Sequence, residues 1–365
     1  MQGSIQKKGS IYYAVIPLNG KRKWFKGGAT KKEAQNVLGE KLSEIQNNIY
    51  KELPKVTFKE FGELWLENYV NNNLKPSTAR RYQDIIRQHF NVSFGEYKLS
   101  AITTGLLQGY VAQRNKLVSA KTVCNEIVVM KRMFKHAYRW GYVKYDSALI
   151  VDRPKLTKSE IDILQPNEVQ LFLQNTEGHY RVAFLTAVLT GVRAGELWGL
   201  QWGDIDWNSK QIHVRRSLWK GKFQTPKTSY AIRKLDIPET LIQELKQWKL
   251  PCPVSEYDLM FPSPEGKPTI HDNVIKRYFN TALRKAGLRQ VSFHSLRHSN
   301  ASIRIQSGQN IKYLSTQLGH SSIKITLDIY GHLFNDANFN RQQVELLEGV
   351  FQDNYDAVRE SDSGV

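Results

Sequence analysis

The sequence has little cysteine, no long apolar run and few acidic residues for its size. Its 365 residues include 2 cysteines, Cys124 and Cys252, which are too few to staple the fold and suit a reducing compartment. The longest mostly apolar run, residues 182–192, is too short to cross a bilayer. No charged and then apolar leader follows Met1, so we expect no export and no membrane association.

Motifs of three common enzyme classes are also missing. There is no G-x-x-x-x-G-K-[ST] loop for nucleotide phosphates. His294 and His298 are spaced like zinc ligands, but a serine replaces the glutamate of H-E-x-x-H and an arginine lies between them. Asp204 and Asp206 alternate in a predicted strand as edge residues, so the sequence offers no carboxylate cluster for a magnesium nuclease. We therefore expect neither a metal ion nor a cofactor.

The composition describes a basic protein with several folded domains. Apolar residues make up 41%, which excludes wholesale disorder, and 365 residues exceed what one core usually supports. The formal charge is +18; residues 1–53, 54–157 and 158–345 contribute +6, +9 and +7, and the last twenty contribute −4. Three successive basic segments favour a protein that surrounds a long polyanion, although a generic basic protein has the same net charge.

Residues 1–53 predict a small α+β module. Strands are expected at 11–17 and 23–26, joined by the turn signal Asn19-Gly20, with residues 3–8 as a candidate third strand. Thr30 and Glu33 form a capping box, which predicts a helix running towards residue 51.

Residues 54–155 predict an all-helical segment. Thr57 and Glu60 form a second capping box, and residues 104–112 predict a short helix. The most regular apolar spacing belongs to Val123, Ile127, Met130, Phe134 and Ala137. The opposite side of that helix carries a basic ridge that suits phosphates or is simply a solvated face: Lys131, Arg132, Lys135 and Arg139.

Residues 156–345 predict a mixed α/β segment. Strands at 204–207, 211–218 and 231–237 are expected to form a small antiparallel sheet between helices. The helices are expected at 166–174, 180–189, 239–248, 273–286, 296–306, 311–318 and 322–330. The predicted fold class is therefore multidomain and mainly α with small antiparallel sheets (α+β), ending in an acidic tail, residues 346–365.

Reactive side chains are concentrated in four short pieces of the last segment. They lie in residues 190–197, 225–229, 294–298 and 318–332. Taken singly, each has a structural explanation. Arg193 can pair with Glu196 one turn later, Lys227 can be a solvated turn lysine, and His320 can cap a helix.

Taken together, the reactive residues indicate chemistry on a phosphodiester. The set contains no carboxylate base and no thiolate: Arg193, Lys227, His294, Arg297, His320 and Tyr330. Arginines bind non-bridging oxygens and stabilise the charge that grows in the transition state. A tyrosine can attack and be held covalently, while lysine and histidine move protons.

In this order, the pieces resemble the tyrosine recombinase family, specifically phage-type integrases. The matching motifs are T-G-x-R-x-x-E-L at 190–197, a hairpin lysine, H-x-L-R-H at 294–298, L-G-H at 318–320 and a tyrosine at 330. The resemblance has motif support over about residues 160–345 and extends upstream through architecture. It implies an arm-type DNA-binding domain at 1–53, a helical core-binding domain at 54–155 and a catalytic domain at 156–345.

The resemblance also implies a role for each matched residue. Arg193 and Arg297 would clamp the scissile phosphate, and His320 would hydrogen-bond to it. Tyr330 would attack to give a 3′-phosphotyrosyl link, with His294 as general base. Lys227 would be the general acid for the 5′-hydroxyl, with nearby lysines as alternatives: Lys220, Lys222 and Lys234. Glu196 would support the fold around the site, whereas His298 and His332 match common family positions without a clear role.

The implied activity is site-specific recombination that integrates or excises a mobile element such as a prophage, through a Holliday junction and without ATP. The implied partners are double-stranded DNA with core-type and arm-type sites and three further copies of the chain in a homotetramer. A host DNA-bending protein and an excisionase are further candidate partners. The expected location is the cytoplasm of a bacterial host, at the nucleoid. Four basic residues near the N-terminal turn would contact the arm-type DNA: Lys21, Arg22, Lys23 and Lys26.

Three alternatives remain open from the sequence. They are a non-catalytic DNA-binding regulator on the same scaffold, a type IB topoisomerase and a metal-dependent nuclease. For the tail, docking on a neighbouring protomer competes with packing onto its own domain.

Overall fold

A computed structural model describes most of the chain. The described residues are 2–18, 20–47, 50, 52–157, 162–225, 229–331 and a few later positions (333, 340–341, 344–345, 347–349 and 351). The chain folds into two compact units, residues 1–158 and 159–365. Helices dominate both units and the sheets are small and antiparallel, which confirms the predicted fold class.

The N-terminal module is a three-stranded antiparallel sheet covered by one helix. The elements are β1 (Ser4–Lys8), β2 (Ile11–Leu18), β3 (Lys21–Gly28) and α1 (Lys31–Gln46), and the sheet order is β1-β2-β3. The predicted third strand is thus confirmed. Both halves of the predicted capping box are present, since Thr30 and Glu33 each accept from the other's backbone N–H.

The two faces of this sheet differ in what covers them. Ala14 and Ile16 are fully buried on the face that α1 covers. The strand alternation places Tyr13 and Trp24 on the other face, where their rings meet edge to face at 5.9 Å. Trp24 is 47% exposed there, and Lys26 pairs in register with Tyr13. The second face is therefore an open, basic and aromatic surface.

The rest of the first unit is a helical bundle. Its helices are α2 (Phe58–Trp65), α3 (Asn71–Asn73), α4 (Pro76–Ile85), α5 (Asn91–Phe94), α6 (Thr104–Leu117) and α7 (Ala120–Arg139). Single π turns join α2 to α3 and α4 to α5, at Leu66–Val70 and Ile86–Phe90. The predicted apolar stripe of α7 is buried along its whole length, as expected. Helix α6 runs five residues beyond its predicted end.

A buried carboxylate connects α6 and α7. Glu126 is 1% exposed, and it accepts hydrogen bonds from the Tyr110 hydroxyl at 2.7 Å and from two nitrogens of Arg114 at 2.6 and 3.1 Å. A buried charge is tolerated only when it is paired in this way. The interaction fixes the orientation of α6 relative to α7.

The second unit alternates helices with short strands. Its helices are α8 (Pro166–Gln174), α9 (Tyr180–Thr190), α10 (Ala194–Trp198), α11 (Glu239–Lys249), α12 (His271–Val274), α13 (Asn280–Lys285), α14 (His294–Gln306), α15 (Ile311–Leu318) and α16 (Ile323–Tyr330). Its strands are β4 (Ile205–Asp206), β5 (Gln211–Val214), β6 (Ser217–Trp219), β7 (Lys222–Gln224) and β8 (Arg233–Asp236). The largest core of the unit packs α9 with the surrounding helices and strands.

Two strand predictions for this unit are wrong in detail. Residues 211–218 do not form one strand, because β5 belongs to the sheet β4-β5-β8 and β6 pairs with β7 in a separate ribbon. Asp204 is not an edge residue of a strand. It ends a 3₁₀ turn, is 3% exposed and pairs with Arg216 at 2.5 Å. Burial of this carboxylate is possible because Arg216 supplies the compensating charge.

Among the helices of the described residues, none is long and apolar enough to cross a membrane. Most of the predicted acidic tail, 346–365, lies outside the described residues, as does Asn19 of the predicted turn. The domain roles inferred from the sequence stay predictions.

We predict that Glu126→Ala lowers the free energy of unfolding by about 3 kcal/mol, because the Tyr110 hydroxyl and the Arg114 guanidinium lose their buried partner. Urea unfolding of the full chain measures the loss, and amide exchange in α6 and α7 assigns it to the first unit. Glu96→Ala, at an exposed position of the same unit, should change stability by less than about 0.5 kcal/mol. Equal effects of the two substitutions would contradict the prediction.

Candidate active site

Four segments that are distant in sequence are tied together by hydrogen bonds in the second unit. They are the turn after α9, the first residues of α14, the end of α15 and the last residue of α16. These are the segments that carry four of the predicted motifs.

Arg297 lies at the centre of this arrangement. It is 3% exposed, and it donates to the carbonyl oxygens of Gly191 and Leu318, both at 2.7 Å. Burial, and then the charges of Arg193 and Arg233, lower its pKa to about 9, so the guanidinium is still charged at neutral pH. The buried cation therefore fixes two turns against α14.

Gly191 allows this close approach. Its φ is +66°, in the left-handed region that glycine tolerates best. A Cβ at this position would lie 2.8 Å from both Asn300 Oδ1 and Leu318 Cδ2. Any larger residue would therefore push the turn off α14 and α15.

Arg193 is the more exposed arginine of the site. It precedes α10, and Glu196 accepts both its backbone N–H at 3.0 Å and its Nη1 at 2.9 Å. Its Nη2 donates to the carbonyl of Gly319 at 3.3 Å. The side chain is 38% exposed, so Arg193 can meet an anion that approaches from solvent.

Glu196 holds two arginines at once. Arg233 is buried and donates to Glu196 Oε2 at 3.0 Å and to the Gln317 carbonyl at 2.6 Å. Burial pushes the pKa of Glu196 upward, but the charge and hydrogen bond of Arg233, together with Arg193, outweigh it and hold the pKa below its ordinary value. The carboxylate is therefore ionised at neutral pH, and its supporting role stays a prediction.

His320 follows the left-handed Gly319 at the end of α15. Its Nδ1 lies 2.8 Å from the Thr326 hydroxyl. Burial, followed by the charge of Arg297 and the other nearby cations, lowers the pKa of His320 to about 4. The ring is therefore neutral at pH 7 and can act as a hydrogen-bonding group rather than as a cation.

Tyr330 ends α16 with its ring buried and its hydroxyl in contact with α14. The residue is 2% exposed, and its Oη lies 2.6 Å from His298 Nδ1. The His298 and His294 rings meet edge to face, with centroids 4.7 Å apart. His294 is exposed to solvent; partial burial and then Arg297 and Arg193 lower its pKa.

The site therefore contains five of the six predicted catalytic residues: Arg193, His294, Arg297, His320 and Tyr330. Lys227 lies outside the described residues, between β7 and β8. Two contributors were missed in the sequence. His298 lies in the H-x-L-R-H motif, but the sequence assigns it no role. Arg233 lies in a strand, where the alternating pattern does not show which polar side chain is buried.

The predicted DNA-binding residues differ in their exposure to solvent and in their contacts with other residues. In the first unit, Lys21, Arg22 and Lys26 are exposed, as are Lys135 and Arg139. Lys23 pairs with Glu52 and lies near the Tyr50 ring. The other two are also engaged: Lys131 donates to the Leu149 carbonyl and Arg132 lies over the Tyr69 ring.

Comparison with known proteins shows the family to which the chain belongs. Residues 162–336 match the Phage integrase family, and residues 57–114 match the phage integrase N-terminal SAM-like domain. A tyrosine recombinase XerC-like protein of Caldanaerobacter subterraneus is 30% identical over 94% of this chain and 98% of its own length. The chain belongs to the phage integrase family of tyrosine recombinases. Enzymes of this family cleave and rejoin DNA at specific sites.

Other relatives agree with this assignment. The ICEBs1 integrase of Bacillus subtilis is 26% identical over 93% of this chain and 96% of its own length. In fold, this tyrosine recombinase is similar to the Tn1549 transposon integrase solved with circular intermediate DNA, with a TM-score of 0.66, 20% identity and coverage of 80% of this chain and 99% of the other. A lambda integrase tetramer bound to a Holliday junction gives a TM-score of 0.60 at 19% identity, covering 87% and 95%.

We predict that Glu196→Gln lowers the free energy of unfolding by about 3 kcal/mol at pH 7, because two arginines lose their buried counter-charge. The folded carboxyl has a pKa below its ordinary 4.5. Its pairs therefore stabilise the protein above that pH and lose their effect as the pH falls through the lower folded value. Urea unfolding should show the gap to wild type shrinking below pH 4.5.

The exposed Glu239, which pairs with Lys210, provides the matched control. Glu239→Gln should change stability by less than about 0.5 kcal/mol at any of these pH values. A Glu196→Gln gap that stays constant into the acid range would contradict the role of the ionised carboxylate.

Proposed function

We propose that this tyrosine recombinase integrates and excises a mobile element, such as a prophage, through a 3′-phosphotyrosyl intermediate and a Holliday junction. The observation that carries the proposal is the convergence of the site. Arg297, on α14, forms hydrogen bonds with the turns that hold Arg193 and His320. Tyr330 forms a hydrogen bond with the same helix through His298. Cations and a nucleophile thus share one site, in which Arg193 and His294 reach solvent.

The cations suit the charge of a phosphodiester. Among the described residues, the carboxylate paired with Arg193 and Arg233 is Glu196, and with Arg297 beside them the positive charge of this cluster is in excess. The two arginines proposed to clamp the scissile phosphate are Arg193 and Arg297, and His320 would hydrogen-bond to a phosphate oxygen. Charge that grows on these oxygens in the transition state would be stabilised without a metal ion.

The covalent step conserves the energy of the broken bond. Attack by the Tyr330 hydroxyl exchanges one phosphodiester for another, and the reverse attack by a 5′-hydroxyl rejoins the strand. We assign protonation of the leaving 5′-oxygen to Lys227, with Lys220, Lys222 and Lys234 as rivals on or near the hairpin. The proton of Tyr330 must pass to a base on α14, where the family resemblance favours His294.

The DNA partners are inferred from the surfaces of the first unit. We infer that the helical part binds core-type sites through the ridge on α7, where Lys135 and Arg139 are exposed, and that the N-terminal sheet binds arm-type sites. The solved relatives are integrases bound to DNA, including a tetramer on a Holliday junction. On that support we propose a homotetramer acting on DNA. The host DNA-bending protein, the excisionase and the bacterial cytoplasm are proposed from the family resemblance alone.

We predict that Tyr330→Phe abolishes covalent attachment to DNA and leaves DNA binding intact, because only the hydroxyl is lost. The assay incubates the protein, without added metal, with a suicide substrate nicked near the cleavage site and detects the protein–DNA adduct on a denaturing gel. Tyr313→Phe is the matched control, since its hydroxyl donates to Asp236 instead, and it should form the adduct normally.

The same assay separates the proposal from its rivals. An adduct with Tyr330→Phe would show that another residue is the nucleophile, and no adduct with the wild type would exclude the family chemistry for this chain. Strand exchange between two sites distinguishes recombination from simple relaxation of supercoils.

We predict that Lys26→Ala weakens binding of arm-type DNA and Lys23→Ala does not. Lys26 lies beside Tyr13 on the open face of the sheet, whereas the Lys23 ammonium is neutralised by Glu52. Loss of one phosphate contact should reduce the slope of log affinity against log salt by about 1. Titrations of the full chain at several salt concentrations measure the slopes, and equal slopes for the two variants would contradict the prediction.

A further inference from the structure

The contact between Tyr330 and His298 has the geometry of a nucleophile with its base. Tyr330 Oη and His298 Nδ1 are 2.6 Å apart, well within the reach that proton transfer requires. The tyrosine ring is held in a small core with Leu314, Leu318 and Ala301. The hydroxyl is thereby directed at the first turn of α14, beside Arg297.

The surroundings of Tyr330 and His298 keep both groups neutral. Burial raises the pKa of Tyr330 to about 12, so the phenol keeps its proton. Burial, and then His294 and Arg297, lower the pKa of His298 to about 4, so its ring is neutral. In the His298 tautomer that carries its proton on Nε2, Nδ1 accepts the hydrogen bond that the phenol donates.

We propose that His298 accepts the phenolic proton of Tyr330 when the hydroxyl attacks the phosphodiester; this inference rests on the proposed recombinase function. The O–H bond of Tyr330 breaks as the O–P bond forms, and the proton moves to His298 Nδ1. The P–O5′ bond breaks, and the 5′-oxygen takes a proton from the general acid. In rejoining, the protonated His298 returns its proton to the departing phenolate.

The bound phosphate itself makes His298 a stronger base. The positive charge of Arg297 opposes protonation of His298 in the free protein. A phosphodiester clamped by Arg193 and Arg297 places negative charge beside these cations and offsets that repulsion. Proton transfer is thus favoured only when substrate is present, which keeps the hydroxyl protonated and unreactive otherwise.

His294, the base that the family resemblance implies, is placed differently. It is exposed, and its ring packs nearly perpendicular to the His298 ring, with 4.7 Å between centroids. Within the described residues, the Tyr330 hydroxyl forms its hydrogen bond with His298 and not with His294. The inference therefore moves the proton acceptor one helical turn along α14.

The test measures single-turnover cleavage of the suicide substrate by the full chain. Both His298→Ala and His298→Gln should slow formation of the adduct by about 100-fold or more, the usual share of a general base. The glutamine retains an oxygen that can accept the phenol's hydrogen bond but cannot take its proton. Gel-shift binding and thermal unfolding establish that each variant folds and binds DNA.

A more acidic hydroxyl at position 330 supplies the decisive readout. Replacing Tyr330 by 3,5-difluorotyrosine should restore most of the rate in both His298 variants, because its hydroxyl needs less help to lose its proton. The same replacement should not rescue Arg297→Ala, whose defect lies in the phosphate clamp.

Three results would overturn the inference. Cleavage by His298→Gln at the wild-type rate would make His298 a positioning residue only, and failure of difluorotyrosine to rescue would exclude a proton-transfer defect. A rescue seen in His294→Ala but not in the His298 variants would return the role to His294. Absence of any adduct from the wild type would instead remove the proposed function, and this inference with it.

Discussion

The buried guanidinium of Arg297 is the interaction on which the second unit's geometry depends. Its two hydrogen bonds to the carbonyls of Gly191 and Leu318 join three stretches of chain that are more than 100 residues apart at their extremes. A permanently charged group is suited to this position because it cannot escape desolvation by losing its proton at neutral pH. The carbonyls that satisfy it are fixed in turn by left-handed glycines at 191 and 319.

The charge balance of the site follows from this buried cation. The charges of Arg193 and Arg233 lower the pKa of Arg297, and Glu196 pairs with Arg193 and Arg233. The carboxylate reduces the repulsion among the arginines, but it does not cancel their positive charge. We expect an incoming phosphodiester to neutralise part of this residual positive charge.

The three histidines of the site differ in their surroundings, although they are the same type of residue. His294, His298 and His320 lie around one arginine, and all have lowered pKa values. Each has a different neighbour: His294 faces solvent, His298 the Tyr330 hydroxyl and His320 the Thr326 hydroxyl. Neutral rings at pH 7 can accept or donate single hydrogen bonds, and the partner decides which task each can perform.

The sequence by itself determined most of the helices and strands, the capping box at Thr30 and the buried stripe of α7, while the roles of the reactive residues stay predictions. These depend on local periodicity and on short motifs, which a linear pattern records directly. It did not determine that residues 211–218 divide between two sheets, that Asp204 is buried against Arg216, or that Arg233 completes the arginine cluster. Only the tertiary structure decided that His298, rather than His294, contacts Tyr330, because both histidines lie on one helical face and the choice depends on where α16 docks.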